Sequence, residues 1–156
     1  MGRMSRAGLS VSMEALVLSI VVLAGAAIMA SVLLARSAPY TRNPSAHVVA
    51  ELVPWTQGNG AIVKLTIANT GDVPFTIMQV KLYGPGCTGA GACRYTSSEL
   101  SSRFGMRTSL GPGETTSGQS FEPNIRKLED YVVEATFTTS LGETITASSR
   151  VRWSAG

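Results

Sequence analysis

Ile62-Val63-Lys64-Leu65-Thr66-Ile67-Ala68-Asn69-Thr70-Gly71-Asp72 is the stretch on which the fold of most of this chain turns. Val63, Leu65 and Ile67 alternate with Ile62, Lys64 and Thr66, the period of two that marks a half-buried strand. Asn69-Thr70-Gly71-Asp72 ends the pattern with residues that favour a turn. Working outward, Met78, Val80 and Leu82 alternate with Ile77, Gln79 and Lys81. Tyr131, Val133, Ala135 and Phe137 form another apolar face, and Ile145, Ala147, Val151 and Trp153 a last one. Gly58-Asn59-Gly60, Gly111-Pro112-Gly113 and Leu141-Gly142-Glu143 punctuate these runs. About six or seven short strands separated in this way predict an antiparallel sandwich. Beyond residue 44 no helix is expected apart from a turn between Ser97 and Arg103.

The other half of the reading lies N-terminal to Pro39, Asn43 and Pro44, which break any helix arriving from the left. Ala15 to Leu34 reads ALVLSIVVLAGAAIMASVLL without a charge. At ~1.5 Å per residue, about 20 such residues span the ~30 Å of a bilayer core. The expected fold class is therefore α+β, with a long N-terminal hydrophobic α-helix followed by an antiparallel sandwich head. The remaining length suits one domain of roughly 110 residues. Charge points to no polyanion: 13 basic residues stand against 10 acidic. The nearest approaches to a basic run, Arg3 with Arg6 and Arg126-Lys127, are too short to follow a phosphate backbone, so no nucleic acid is expected as a partner.

Order matters more than length at the N-terminus. Arg3 and Arg6 come first, then Ala7-Gly8, Leu9, the lone acid Glu14, and only then the apolar run. A secretory peptide is cut after its apolar core, at small residues. Here Arg36-Ser37-Ala38 puts a cation at that point and Pro39 follows. The arrangement resembles the class III signal peptides of type IV pilins, archaeal pilins and archaellins, in which a dedicated peptidase cuts ahead of the apolar stretch. That resemblance implies a leader at 1–8, cleavage between Gly8 and Leu9, a filament-core or transmembrane helix at 9–38, a hinge at 39–45 and a head at 46–156. Glu14 would then be the sixth mature residue, where the family commonly has its acid at the fifth. By the same resemblance Glu14 would pair with the new amino group of a neighbouring subunit, since a carboxylate in an apolar setting needs a partner. An acid resting at the headgroup level of an ordinary anchor is the other reading. Gly25, Ala26, Ala27, Ala30 and Ser31 are small residues at helical spacing, able to let helices approach closely.

The head extends the likeness. Leu65 to Gly71, Leu110-Gly-Pro-Gly-Glu-Thr115 and the run ending in Trp153 are similar to archaeal pilin and archaellin heads, which resemble immunoglobulin-like sandwiches. The resemblance implies a helical homopolymer at the cell surface, used for adhesion. It also implies insertion in the cell membrane before assembly, and dependence on a leader peptidase and assembly machinery. A monomeric sandwich on a membrane anchor, or a propulsion fibre of the archaellum kind, are the alternatives.

Cys87 and Cys93 are the only cysteines, five residues of Thr-Gly-Ala-Gly-Ala apart. Outside the cell a local disulfide pinning a surface loop is expected. Free thiols or two metal ligands are the other readings, the latter poorly supplied with only His47 beside them. No enzyme, metal or cofactor is expected. Gly84-Pro-Gly86-Cys-Thr-Gly89 matches a dinucleotide fingerprint in letters, yet opens no helix. There is no G-x-S-x-G elbow and only one imidazole, so a hydrolytic triad lacks material. Nothing recommends Glu129, Asp130 or Glu134 as a glycosidase pair. Asn43-Pro-Ser45 is no sequon, because proline holds its middle position. Trp55 and Trp153 are read as core or rim residues, and no exposed aromatic cluster is evident.

Overall fold

The computed structural model describes residues 6–37 and 42–155, with side chains in the first helix described for Met13 and for 15–29. The chain divides into two units, Met1–Thr41 and Arg42–Gly156. The first contains helix α1 (Arg6–Ser37). The second carries nine strands and a short helix: β1 (Ala46–Pro54), β2 (Ala61–Asn69), β3 (Phe75–Tyr83), β4 (Arg94–Thr96), α2 (Ser97–Ser102), β5 (Ser109–Leu110), β6 (Thr115–Glu122), β7 (Val132–Thr139), β8 (Thr144–Arg150) and β9 (Arg152–Trp153).

This corrects the expected α+β class with its long hydrophobic helix. The chain is mostly β, and among the described residues no helix is long and apolar enough to cross a membrane. The expectation counted about 20 apolar letters. The class is set instead by the nine strands that fill the second unit, which a count of apolar letters at one end does not register.

Two sheets build the second unit, one in the order β6-β2-β1-β9 and the other in the order β4-β3-β7-β8, with β5 also on β3. Every pairing is antiparallel except β1 with β9. Val63, Leu65 and Ile67 point inward from β2 as their alternation predicts, and Tyr131, Val133, Ala135 and Phe137 do the same along β7. In β3 the alternation fails at one place. A bulge between Ile77 and Gln79 shifts the register, so Ile77, Val80 and Leu82 are buried and Met78 is turned to solvent. One extra residue in a strand reverses the facing of all that precedes it. Near the C-terminus Val151 donates its N–H to Tyr131 O, and the next two residues pair with Glu51 and Leu52 of the opposite sheet. One strand thus crosses between sheets and closes that side of the sandwich. On the other side, 103–107 runs beside the outer strand β6. Arg107 N–H donates to Thr116 Oγ1 and Arg103 Nη2 to Phe121 O. The short helix α2 starts at Thr96, whose N–H donates to the Glu99 carboxylate 2.8 Å away. This bond holds the acid below its usual range.

Two polar knots join the layers. Asn69 is buried and its Nδ2 donates to Val73 O and Leu110 O, while its Oδ1 accepts from Gly71 N–H. Gly71 in turn lies under residues 43–45. A Cβ there would sit 2.3 Å from Asn43 O and 2.4 Å from Ser45 N, closer than any side chain permits. Asp72 Oδ1 accepts from Asn43 N–H and Ser45 O accepts from Thr70 and Gly71. Residues 42–45, expected to belong to a hinge, are therefore strapped to the head. The second knot is Tyr95 Oη donating to the buried Glu122 carboxylate at 2.8 Å, from one sheet to the other, with Asn124 donating to the same carboxylate.

Two outcomes follow. Asn69→Ala strands two buried carbonyls and is expected to cost about 3 kcal/mol, and Gly71→Ala about 1–3 kcal/mol by forcing the strap away. Urea denaturation of the full chain in detergent measures both, and losses below about 0.5 kcal/mol would contradict the knot. Burial, reinforced by the Glu122 charge, pushes the Tyr95 hydroxyl far above its ordinary 10.0. The folded head favours the protonated phenol, whereas the unfolded chain ionises it near 10. Stability is thus whole below about pH 10 and falls as pH rises further. Tyr95→Phe flattens that decline and lowers stability at neutral pH by about 1–2 kcal/mol, because Glu122 loses a donor. Denaturation midpoints collected from about pH 8 to about pH 11 give the slope.

Candidate functional site

Helix α1 contains most of the residues expected to act in assembly. Leu16, Val17, Leu18, Ile20, Val21, Val22 and Leu23 are all exposed. At about 100° per residue these seven positions point in every direction around the axis, so this described stretch has no polar side. Ser19 causes no exception, since its hydroxyl donates to Ala15 O one turn back, at 2.8 Å. Gly25 has open space around its Cα, and Ala26 and Ala27 are likewise exposed. The backbones of Gly8, Leu9, Glu14 and Ala30 lie within the bounds of α1, while the side chains of Leu9, Glu14 and Ala30 fall outside the described residues, and with them the pairing expected of Glu14.

Cys87 and Cys93 form a disulfide. Both cysteines are buried, and the segment between them is the exposed loop that the disulfide closes. Cys93 closes the loop with a φ of 52°, a left-handed conformation that few non-glycine residues adopt, and its carbonyl accepts from Leu82 N–H. The glycine-rich letters before it have a packing role. A Cβ at Gly84 would strike the Tyr131 ring, and one at Gly86 would lie 1.9 Å from Asn124 O. The Tyr131 hydroxyl, held between Pro85 O and Arg126 N–H, locks this loop to 124–131. A backbone that must pass this close to another chain segment needs glycine, which accounts for Gly84 and Gly86 in the fingerprint-like spelling without a nucleotide.

Among the described residues no group of three or more His, Cys, Asp or Glu could hold a metal ion. His47 lies in β1, with its neighbours Val48 and Ala50 in the core. Glu129 and Asp130 are exposed beside the Trp153 rim, where Glu129 O accepts from the indole N–H and Asp130 meets Arg150 at 3.7 Å.

One feature was not foreseen. Trp55 and Phe121 form a tilted pair with ring centroids 5.2 Å apart, and they are 39% and 41% exposed. Trp153, by contrast, packs against the core as expected. The only signal for the pair was Phe121 at a solvent-facing position of a strand otherwise made of Thr, Ser, Gly, Gln and Glu, a pattern that needs the register before it can be read.

No family model matches this chain, and a search of characterised proteins finds no significant relative.

Removing the disulfide tests its share in the head. Cys87→Ser/Cys93→Ser opens a loop of seven residues, for which loop-closure entropy gives a loss of about 2 kcal/mol. Far-ultraviolet circular dichroism should remain that of a β-protein while the denaturation midpoint falls.

Proposed function

We propose that this chain is the structural subunit of an extracellular filament of the type IV pilin kind, polymerised through the apolar surface of α1 and displaying the sandwich for surface attachment. The observation that carries the reading is the described stretch of α1, whose large aliphatic side chains are exposed on all sides of the helix. Each large aliphatic side chain taken out of water contributes about 1.5–3 kcal/mol, so such a helix has to be enclosed. Neighbouring copies of the same helix enclose it completely. Small residues at Gly25, Ala26 and Ala27 favour this, because they let helix backbones approach closely. Before assembly the cell membrane holds the same surface. The order Arg6, Ala7-Gly8, Leu9, Glu14 supports removal of the first eight residues, which leaves the apolar segment in the product.

In the head, the crossing strand shields part of β1 and residues 103–107 shield part of β6, which limits pairing with the wrong chain at those edges, while β8 stays paired on one side only. The archaellum reading has no observation in its favour.

N-terminal sequencing of the surface-extracted chain, with electron microscopy of sheared cells, tests the proposal. Leu9 as first residue, in chains recovered from fibres, is the expected result. An intact Met1 and no fibres containing the chain would leave an anchored monomer instead. Val21→Glu should abolish fibres while the denaturation midpoint of the head stays within about 0.5 kcal/mol of the parent.

A further inference from the structure

We propose that the outer face of the β6-β2-β1-β9 sheet is a saccharide-binding surface, with the Trp55–Phe121 pair as its stacking platform. The inference is independent of assembly, since it concerns the head alone.

Register places the outward side chains of this sheet in rows. One row is Phe121, Ile62 and Val53, continued by Trp55 against Phe121. The next is Gln119, Lys64, Glu51 and Arg152. Beyond it come Ser117, Thr66 and Val49. The last two rows line an open groove of about 420 Å³ on the sheet. Adjacent rows are two residues apart along the strands, or ~7 Å.

The middle row has a property that decides its use. Glu51 and Lys64 are directly paired across β1 and β2, yet among the described residues they form no ion pair, and no hydrogen bond is made by the Gln119 side chain. An anion between two cations, and an amide at the end of the row, thus stand side by side with hydrogen-bonding capacity unspent. Together they offer donors and acceptors to a neutral ligand rich in hydroxyls. A polyanion is disfavoured by Glu51 in the middle of the row. An apolar helix would find a single apolar row and would desolvate the charges beside it. A strand-adding peptide needs a free edge, and this surface lies across the middle of a sheet. A sugar ring fits both rows at once: its C–H face lies on the aromatic pair, and the hydroxyls of the next ring reach the polar row. The sheet on the other side of the sandwich supplies an internal control. Its outward rows Ser109-Thr76-Thr138-Thr144 and Thr96-Gln79-Thr136-Thr146 are polar. Its one exposed aromatic among the described residues, Tyr83, is a single ring whose hydroxyl donates to Glu134 and over which Lys81 lies 4.5 Å away, so it offers no two-ring platform.

The test uses the full chain in a zwitterionic, sugar-free detergent. Cellotetraose, mannotetraose and chitotetraose are titrated and followed by saturation-transfer NMR. At least one should bind saturably with a midpoint below about 5 mM. Trp55→Ala should weaken that binding at least about tenfold and Gln119→Ala several-fold, while Thr146→Ala leaves it unchanged. Gln119 is exposed, so its variant keeps the test open even where Trp55→Ala perturbs the loop. The proposal is overturned by no saturable response to any of the three, or by binding that survives both Trp55→Ala and Gln119→Ala undiminished. Variants that change self-association and not sugar binding would overturn it too, and would assign the face to a second copy.

Discussion

Asn69 occupies the one position where both sheets, the turn between β2 and β3 and the incoming chain depend on the same side chain. Its amide bridges Val73 O and Leu110 O, its backbone N–H reaches Glu114 O, and its own carbonyl accepts from Gly113. A buried amide is costly unless all its bonds are made, and here the bonds come from segments far apart in sequence. The turn at 69–72, the turn at 111–114 and the start of β3 can therefore form only together. The core aliphatics provide the drive to collapse, which many arrangements could satisfy. Asn69 selects among them.

The Tyr95–Glu122 bond is the counterpart at the other side of the head. It connects β4 to the end of β6 beneath the Arg103 guanidinium, which lies 5.5 Å from the Tyr95 ring centre. Both knots tie one sheet to the other, so the sandwich is held by a few specific polar bonds at its margins as well as by apolar contact in the middle. The disulfide close by works within one sheet, closing the loop between β3 and β4 two residues before Tyr95.

What the sequence revealed and what it hid follow from the range of the interactions. Strands β2 and β7 were legible because a period of two is a local property. The bulge in β3 was not, since it depends on which residue of β7 faces Ile77 or Gln79 and leaves the local composition unchanged. Leu110-Gly-Pro-Gly-Glu-Thr115 read as a turn and is one, closed by Gly111 N–H donating to the Glu114 carboxylate at 2.7 Å. Within the segment 39–45 expected as a hinge, the attachment of 43–45 to the head was not legible because its prolines are local, while the glycine that receives it lies some 26 residues later, at Gly71. Hydropathy alone overstated the N-terminal helix as the feature that sets the class. The aromatic platform stayed hidden for the reason that hid the bulge: Trp55 and Phe121 meet only through the pairing of β1, β2 and β6.

The strap also has a mechanical meaning. Tension applied to the chain at residue 42 enters the head through Asn43 and Ser45 and passes directly into β1, which is flanked by β2 and β9 and paired with β2 over nine residues. The ladder bonds lie perpendicular to the strands. A pull along β1 therefore loads them all at once in shear, where a pull across the strand would unzip them singly. A domain anchored in this way resists force applied from its N-terminal side far better than its modest size would suggest.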